Sequence, residues 1–179
     1  ERAVAPFRRL AEPLVDMIRP MRYPEIFPPE DASFHPTAVA RSIFMKAIDR
    51  DVAATILEYV RGSDAPMRVA QLRVLGGAMA RMPADATAFA HRSSAVMATV
   101  AAFYNGEEER PVRETWVTDF ASALDQGDKG AYVNFLGDEG QARIRAAYPG
   151  STWTRLAAVK ARYDPTNLFR LNHNIPPAE

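Results

Sequence analysis

Residues 94–104 are the feature that most limits how this chain can fold. Side chains of a strand point alternately to its two faces, and here apolar residues fill both sets of positions. The two sets are Val96, Ala98, Val100 and Ala102 against Met97, Thr99, Ala101 and Phe103. A strand that is apolar on both faces is covered on both faces. We therefore predict a central strand with other elements packed above and below it.

Strands and helices alternate along the rest of the chain. Further strands are predicted at residues 40–46, where helical spacing fits as well, and at 68–75, 78–82 and 131–136. Helices are predicted at 3–11, from Asp51 to Gly62, from Pro111 to near Gly127, from Asp138 to Tyr148, and at 152–163. A short strand is predicted at 14–18. Hairpin-like links join the middle strands, which indicates an α+β fold with a mainly antiparallel sheet and helices packed on one face.

Composition excludes several classes of protein. The chain has 179 residues, enough for one domain with a core, and its 22 basic side chains balance 22 acidic ones. Without net charge or a basic cluster, we expect neither a nucleic-acid partner nor binding to an anionic membrane. There is no cysteine, and no apolar run reaches the length of about 20 residues that spans a bilayer. No signal peptide is recognisable, so we expect a cytoplasmic location.

Residues 20–36 contain five prolines and predict an extended surface loop. Tyr23 and Phe27 are the residues expected to anchor it. The loop is either a plain connection or one wall of a substrate cavity.

A phenol and a carboxamide lie two residues apart in the predicted strand 131–136. Tyr132 and Asn134 would share one face, with Val133 and Phe135 on the other. The two polar groups either hydrogen-bond a planar polar ligand or simply meet backbone groups and solvent.

The chain after residue 150 is predicted to be a helix followed by a docked tail. Ser151 or Thr152 would cap the helix, and Asp164 before Pro165 would end it, since a residue before proline avoids the helical region. Asp164 would then cap a short turn that carries residues 168–169 into the core. Beyond it, Asn172, His173 and Asn174 follow one another, and Ile175 would anchor the tail.

Other kinds of chemistry find little support. His35, His91 and His173 are isolated, and no spacing places two of them on one face of an element, so we expect no metal site. Ser93 and Ser94 lack the strand–turn–helix context of a nucleophile elbow, which argues against a hydrolase.

Two groups of motifs carry a resemblance to a known family. The first runs from the Tyr-x-Asn segment through Arg-Leu-x-x-Val-Lys and Tyr-Asp-Pro-x-Asn-x-Phe-Arg to Asn-x-Asn-Ile-Pro-Pro. The second is LRVLGGAMARMPADATAFAHR at 72–92. In this order they resemble the C-terminal part of the berberine-bridge-enzyme-like FAD-linked oxidoreductases. Each motif alone is weak, and the ordered set is specific.

The resemblance implies a flavin site and a substrate site. It places Tyr132, Asn134 and Asn172 at the flavin, and we add their neighbours His173 and Asn174. It places Ala98 and Phe135 at the substrate, and we add Gln71 and Arg73, the polar residues of a strand expected to face the flavin. It gives no catalytic base, because Ala98 and Phe135 stand where members of the family carry a glutamate and a tyrosine.

The resemblance also implies a division of the whole protein. Residues 1–179 would be a C-terminal substrate-binding domain, with the berberine-like segment at 130–177, and an absent N-terminal domain would bind most of the FAD. No glycine-rich phosphate loop occurs in this chain. The implied activity is hydride transfer from a small organic substrate to flavin, and the alternative is a binding module that has lost its base. The expected partners are the substrate, the missing FAD domain and a second copy of the chain.

Overall fold

The computed structural model describes residues 2–12, 14–27, 33 and 35–179. These residues fall into two compact units, Glu1–His35 and Pro36–Glu179. All of the candidate site residues belong to the second unit.

The first unit has little regular structure. Helix α1 is Ala5–Arg8, and it lies inside the range predicted for a helix. The strand predicted at 14–18 is wrong, because the amide of Ile18 donates to the Asp16 carboxylate at 3.0 Å instead of joining a ladder.

The proline-rich loop of this unit contains a 3₁₀ turn at Tyr23–Ile26. The rings of Tyr23 and Phe27 meet edge to face at 5.6 Å and both are exposed, so they pack on each other rather than into a core. Residues 28–32 and 34 of the predicted loop lie outside the described residues.

The second unit is built on a three-stranded antiparallel sheet with strand order β1-β3-β2. The strands are β1 Thr37–Met45, β2 Arg68–Val74 and β3 Val96–Tyr104. The predicted strands at 40–46 and 68–75 are confirmed. The prediction of a central strand is also confirmed, because β3 lies between the other two and its side chains are buried on both faces except at Phe103.

Helices α2, Arg50–Gly62, and α3, Arg110–Ala123, cover one face of the sheet. Together with this face they form the hydrophobic core. The core side chains are Met45, Val96, Ala98, Val100, Ala102, Val117, Phe120 and Leu124. Burial of each Val, Leu, Phe or Met side chain contributes roughly 1.5–3 kcal/mol, so this layer supplies much of the stability. The fold is therefore α+β with helices packed on one face, as predicted.

The predicted N-cap of α2 is two residues too late. Asp49, not Asp51, caps the helix by accepting the amide of Val52 at 2.9 Å. Both aspartates precede the apolar stripe, so spacing alone did not separate them.

The strand predicted at 78–82 is a 3₁₀ turn at Met79–Arg81. Before it, Gly76 and Gly77 take φ values of 127° and 58°, which only glycine adopts without strain. The Gly-Gly pair therefore ends β2 without starting a hairpin.

The strand predicted at 131–136 is also wrong, because the segment contains a 3₁₀ turn at Val133–Phe135. The amide of Phe135 donates to the carbonyl of Tyr132 at 2.9 Å, and the next amide makes the same kind of bond at 3.2 Å. Local bonds thus use the amides that a ladder would need.

Two helices precede the C-terminal tail, α4 Gln141–Ala147 and α5 Ser151–Tyr163. Both helices were predicted, but their N-caps are Gly140 and Gly150 rather than the polar residues expected.

The tail is docked through hydrogen bonds. Asp164 ends α5 and accepts the amides of Leu168 at 2.8 Å and Phe169 at 3.0 Å, as expected for a capping carboxylate. The amide of Ala178 donates to the carbonyl of Ala157 at 3.0 Å. However, Leu168 is 68% and Phe169 78% exposed, so the prediction that they enter the core is wrong.

Candidate functional site

The sheet face away from α2 and α3 carries the polar candidates, and we call it the site face. Directly opposed residues of an antiparallel pair share a face. Gln71 opposes Thr99, and Arg73 opposes Met97, so these side chains all lie on the site face. On β1, Ser42 opposes Thr99 and joins them.

A short chain of hydrogen bonds runs across the site face. The hydroxyls of Ser42 and Thr99 lie 2.9 Å apart, and Nη1 of Arg73 donates to Thr99 Oγ1 at 3.4 Å. Ser42 and Thr99 are buried, Arg73 is half-buried and Gln71 is exposed. The polar groups therefore run across the sheet, from buried hydroxyls on β1 and β3 to the exposed Gln71 on the edge strand β2.

Ala98 lies on the opposite face. It opposes Ile43 and Leu72, is 1% exposed, and belongs to the core beneath the helices. The register that placed Ala98 at the substrate is one residue off, and Thr99 is the neighbour that points to the site face.

An aromatic cover lies over the site face, formed by Phe44, Phe89, His91, Tyr132 and Phe135. His91 stacks on Phe44 with 4.4 Å between ring centroids, and Phe89 meets His91 edge to face at 5.8 Å. Tyr132 meets Phe89 at 5.6 Å and Phe135 at 5.6 Å. The cover is thus continuous from the sheet to the 3₁₀ turn at Val133–Phe135.

Arg73 joins the polar and aromatic parts of the site. Its guanidinium carbon lies 4.5 Å from the centroid of the Phe135 ring, within cation–π range. The structure therefore brings Arg73 and Phe135, two of the predicted substrate residues, into contact.

Tyr132 and Asn134 also meet, but not on a strand face. Asn134 Nδ2 donates to the phenolic oxygen of Tyr132 at 2.9 Å, and the Asn134 side chain is otherwise exposed. Tyr132 in turn lies near Tyr148, where burial, and to a lesser degree the Tyr132 phenol, raises the pKa of the Tyr148 hydroxyl. The Tyr132 and Tyr148 phenols therefore lie close enough to interact electrostatically.

The tail reaches the same segment through His173. Its Nε2 lies 2.9 Å from the carbonyl oxygen of Leu136, directly after Phe135. Asn172 takes a left-handed φ of 59°, and Asn174 carries a buried Oδ1 that has no hydrogen-bond partner in the described part of the chain. A cavity of about 690 Å³ opens at this junction. Its lining residues are Leu136, Gly137, Asp138, Gly140, Gln141, Ile144, Asn172 and His173.

Comparison with known proteins identifies the family. Residues 131–176 match the family described as berberine and berberine like. An uncharacterized FAD-linked oxidoreductase of Bacillus subtilis (strain 168), YgaK, is 28% identical over 136 residues, covering 76% of this chain and 30% of that protein. A second from the same organism, YvdP, is 31% identical over 103 residues, covering 58% of this chain and 23% of that protein.

Residues 131–176 are thus the berberine-like segment of this family. Among solved structures, a chitooligosaccharide oxidase superposes on this chain with a TM-score of 0.68 and 22% identity, which shows a shared fold. The match covers 83% of this chain and 35% of the oxidase. The chain thus spans about a third or less of the length of these relatives.

Arg92, the last residue of the motif at 72–92, makes hydrogen bonds that organise the loop before β3. It donates to the carbonyl of Phe89 at 3.0 Å, to that of Met79 at 3.4 Å and to the Thr87 hydroxyl at 2.6 Å. These bonds hold together the long connection between β2 and β3.

Sequence reasoning missed His91, Ser42 and Thr99. Burial lowers the pKa of His91, against the smaller opposite effect of its contact with the carbonyl of Ala147 at 3.3 Å. His91 is therefore a neutral ring of the aromatic cover. A usable signal existed for one of the two hydroxyls, because Thr99 interrupts an otherwise apolar stretch of β3.

Within the described ranges, no group of three or more His, Cys, Asp or Glu side chains could hold a metal ion. Among the helices formed by those residues, none is long and apolar enough to cross a membrane.

Proposed function

We propose that residues 1–179 form the C-terminal substrate-binding part of an FAD-dependent oxidoreductase. In this proposal a small organic substrate gives up a hydride to flavin, and residues 130–177 are the berberine-like segment. The observation that carries the proposal is the site face itself. It lies away from α2 and α3, it joins polar residues to an aromatic cover, and it adjoins the segment that matches the family.

The residues near the tail fit the edge of a flavin ring better than a whole cofactor. Asn134 is exposed with its carboxamide oxygen unused by Tyr132, and Asn174 has a buried oxygen without a partner among the described residues. With Tyr132, Asn172 and His173, these residues would hold the flavin. Bound FAD supplies the acceptor for the hydride and passes the electrons on. The remainder of the cofactor would be bound by a separate N-terminal FAD domain.

The other site residues would orient the substrate and exclude water. Gln71, Arg73 and Thr99 offer hydrogen bonds from the sheet, and Phe135 with Tyr132 forms an apolar wall beside them. Fixing a substrate in this way lowers the entropic part of its barrier. Phe135 carries no ionisable group, so a proton acceptor would come from the rest of the protein.

The exposed apolar surface near the C-terminus supports the proposal that a separate FAD domain packs against this chain. A groove of about 370 Å³ runs between α5 and the tail. Its exposed apolar residues are Val159, Tyr163, Phe169 and Leu171. Exposed patches of this kind mark interaction surfaces. The FAD domain would cover the groove, and without it we expect the chain to form a homo-oligomer through the same surface.

The first experiment tests whether most of the FAD-binding contacts belong to a separate domain. The purified chain, mixed with micromolar FAD and desalted, should stay colourless, because a few net hydrogen bonds of about 0.5–1.5 kcal/mol each do not exceed the cost of association. A yellow, stoichiometric complex would contradict the proposed missing domain.

The second experiment tests the activity. The chain joined to a family FAD domain should bind flavin, and candidate substrates should bleach the flavin absorbance without oxygen. Asn134→Ala should weaken flavin binding, and Gln71→Ala should raise KM for the substrate without affecting flavin content.

The alternative function is a binding module that keeps the fold and lacks redox activity. Its support is the absence of an ionisable side chain at Phe135. Stable flavin binding with no reduction by any substrate that binds would favour this alternative.

A further inference from the structure

Arg73 carries a charge that the protein does not neutralise. It is half-buried on the site face, yet none of the ion pairs among the described residues includes it. Its one hydrogen bond, to Thr99, is long at 3.4 Å. A guanidinium has five N–H donors, so most of its hydrogen-bonding capacity is unused.

Two other sheltered arginines of this fold are neutralised. Arg113 is paired with Asp64 and Glu109, and Arg143 is paired with Glu139 at 3.2 Å. Shielding a charge from water is costly unless a partner of opposite sign is present. Arg41 and Arg92 are half-buried without an ion pair among the described residues, as Arg73 is, but of these three only Arg73 lies on a strand of the site face.

The geometry of Arg73 favours one class of partner. Its guanidinium carbon lies 4.5 Å from the Phe135 ring centroid, and Nη1 is the only guanidinium nitrogen with a hydrogen-bond partner among the described residues. The edge of a guanidinium is a fork of parallel N–H groups that matches the two oxygens of a carboxylate. The Thr99 hydroxyl lies on one side of the fork, and the exposed Gln71 carboxamide lies on the same face of β2.

The surroundings of the fork favour a flat apolar body behind the carboxylate. Phe135 meets Tyr132 at 5.6 Å, and Tyr132 meets Phe89 at the same distance. Such rings attract an aromatic partner beyond the effect of burial alone.

We propose that Arg73 determines substrate specificity by binding the carboxylate of a small aromatic acid, whose ring lies against Phe135 and Tyr132. This inference rests on the proposed function, because it names the class of substrate for the same site.

The test measures binding of two matched probe pairs to the 179-residue chain. Benzoate is compared with benzamide and cinnamate with cinnamamide, by titration followed with two-dimensional NMR. The acids should bind at least tenfold more tightly than the amides. Arg73→Gln should reduce the ratio to within twofold, and Arg73→Lys, which keeps the charge but loses the fork, should retain part of it.

Arg41→Gln is the matched control. Arg41 is a half-buried arginine of the same sheet, opposite Val100 on the helix-covered face. Its loss removes the same charge and should leave the ratio unchanged. Thermal melting of each variant checks the fold.

Equal binding of acids and amides by the unmodified chain would overturn the proposal, as would an equal loss of preference in the Arg73 and Arg41 variants. Neither result depends on flavin. An acid preference in a protein whose flavin is never reduced would keep the carboxylate site and reject the oxidoreductase function. Flavin reduction without any acid preference would keep the oxidoreductase function and reject the carboxylate site.

Discussion

The Asn134 carboxamide donates a hydrogen bond to the phenolic oxygen of Tyr132 at 2.9 Å. The two groups belong to one 3₁₀ turn, so they satisfy each other before any ligand arrives. A ligand can accept from the second N–H of the Asn134 amide, or donate to its carboxamide oxygen, without breaking this bond.

Tyr132→Phe removes the acceptor of this bond and keeps the ring contacts. Because Asn134 is exposed and water can replace the phenol, the free energy of unfolding should fall by less than about 1 kcal/mol. Chemical denaturation measures the change, with Asn134→Ala as the matched variant. A coupling energy well above 1 kcal/mol in the double-mutant cycle would show that the pair is more than a local bond.

Gly130→Ala should be clearly destabilising. An added Cβ would lie 2.5 Å from His91 Nδ1 and Cε1 and 2.9 Å from Asp128 Oδ1. His91 is held by its stack on Phe44, so relief of the clash should cost about 1–3 kcal/mol. Gly137→Ala is the control, since its Cβ would meet nothing within 4 Å, and it should be neutral or slightly stabilising. Similar melting temperatures for the two variants would argue against a tight fit at Gly130.

The stability of the protein should fall as the pH is lowered through the range of a normal histidine. Burial lowers the pKa of His91 in the folded state. Below about pH 6.5 the unfolded chain therefore binds a proton at this residue that the folded chain does not, and the free energy of unfolding decreases. One such group contributes a slope of at most about 1.4 kcal/mol per pH unit.

Denaturation at several pH values in the wild type and in His91→Gln measures this slope, which should be smaller in the variant. An NMR titration of His91 in the wild type gives an independent reading. A pKa at or above 6.5 would contradict the prediction.

The tail should depend on Ile175 rather than on Phe169. Phe169 is 78% exposed, so Phe169→Ala should change the free energy of unfolding by no more than about 0.5 kcal/mol. Ile175 is half-buried and lines the groove beside α5, so Ile175→Ala should cost about 1–2 kcal/mol. The reverse order in chemical denaturation would mean that Phe169 is buried in solution.

The sequence predicts the sheet better than it predicts the loops around it. Residues 94–104 are apolar on both faces, and only a central strand satisfies that pattern. Residues 131–136 alternate just as clearly and yet form a turn, because six residues of alternation do not exclude local bonds such as Phe135 to Tyr132. Short patterns leave the choice to the tertiary context.

The sequence names residues that the structure brings together, but it does not give their geometry. Arg73 and Phe135 meet although they are far apart in sequence. Ala98 was misplaced because a shift of one residue moves a side chain to the other face of a sheet. His91 was missed because an isolated histidine has no local partner in the sequence, and its neighbours Phe44 and Ala147 come from distant segments.

The order of the strands has a consequence for how the chain reaches this structure. The first pair of β1 and β3 joins Thr37 to Tyr104, and β2 pairs with β3 rather than with β1. During synthesis, β1 and β2 therefore emerge as strands whose partner has not yet been made. Closing such long loops makes folding slow relative to helical proteins of the same size. Until β3 is complete, the apolar side chains of both strands stay open to chaperones and to aggregation.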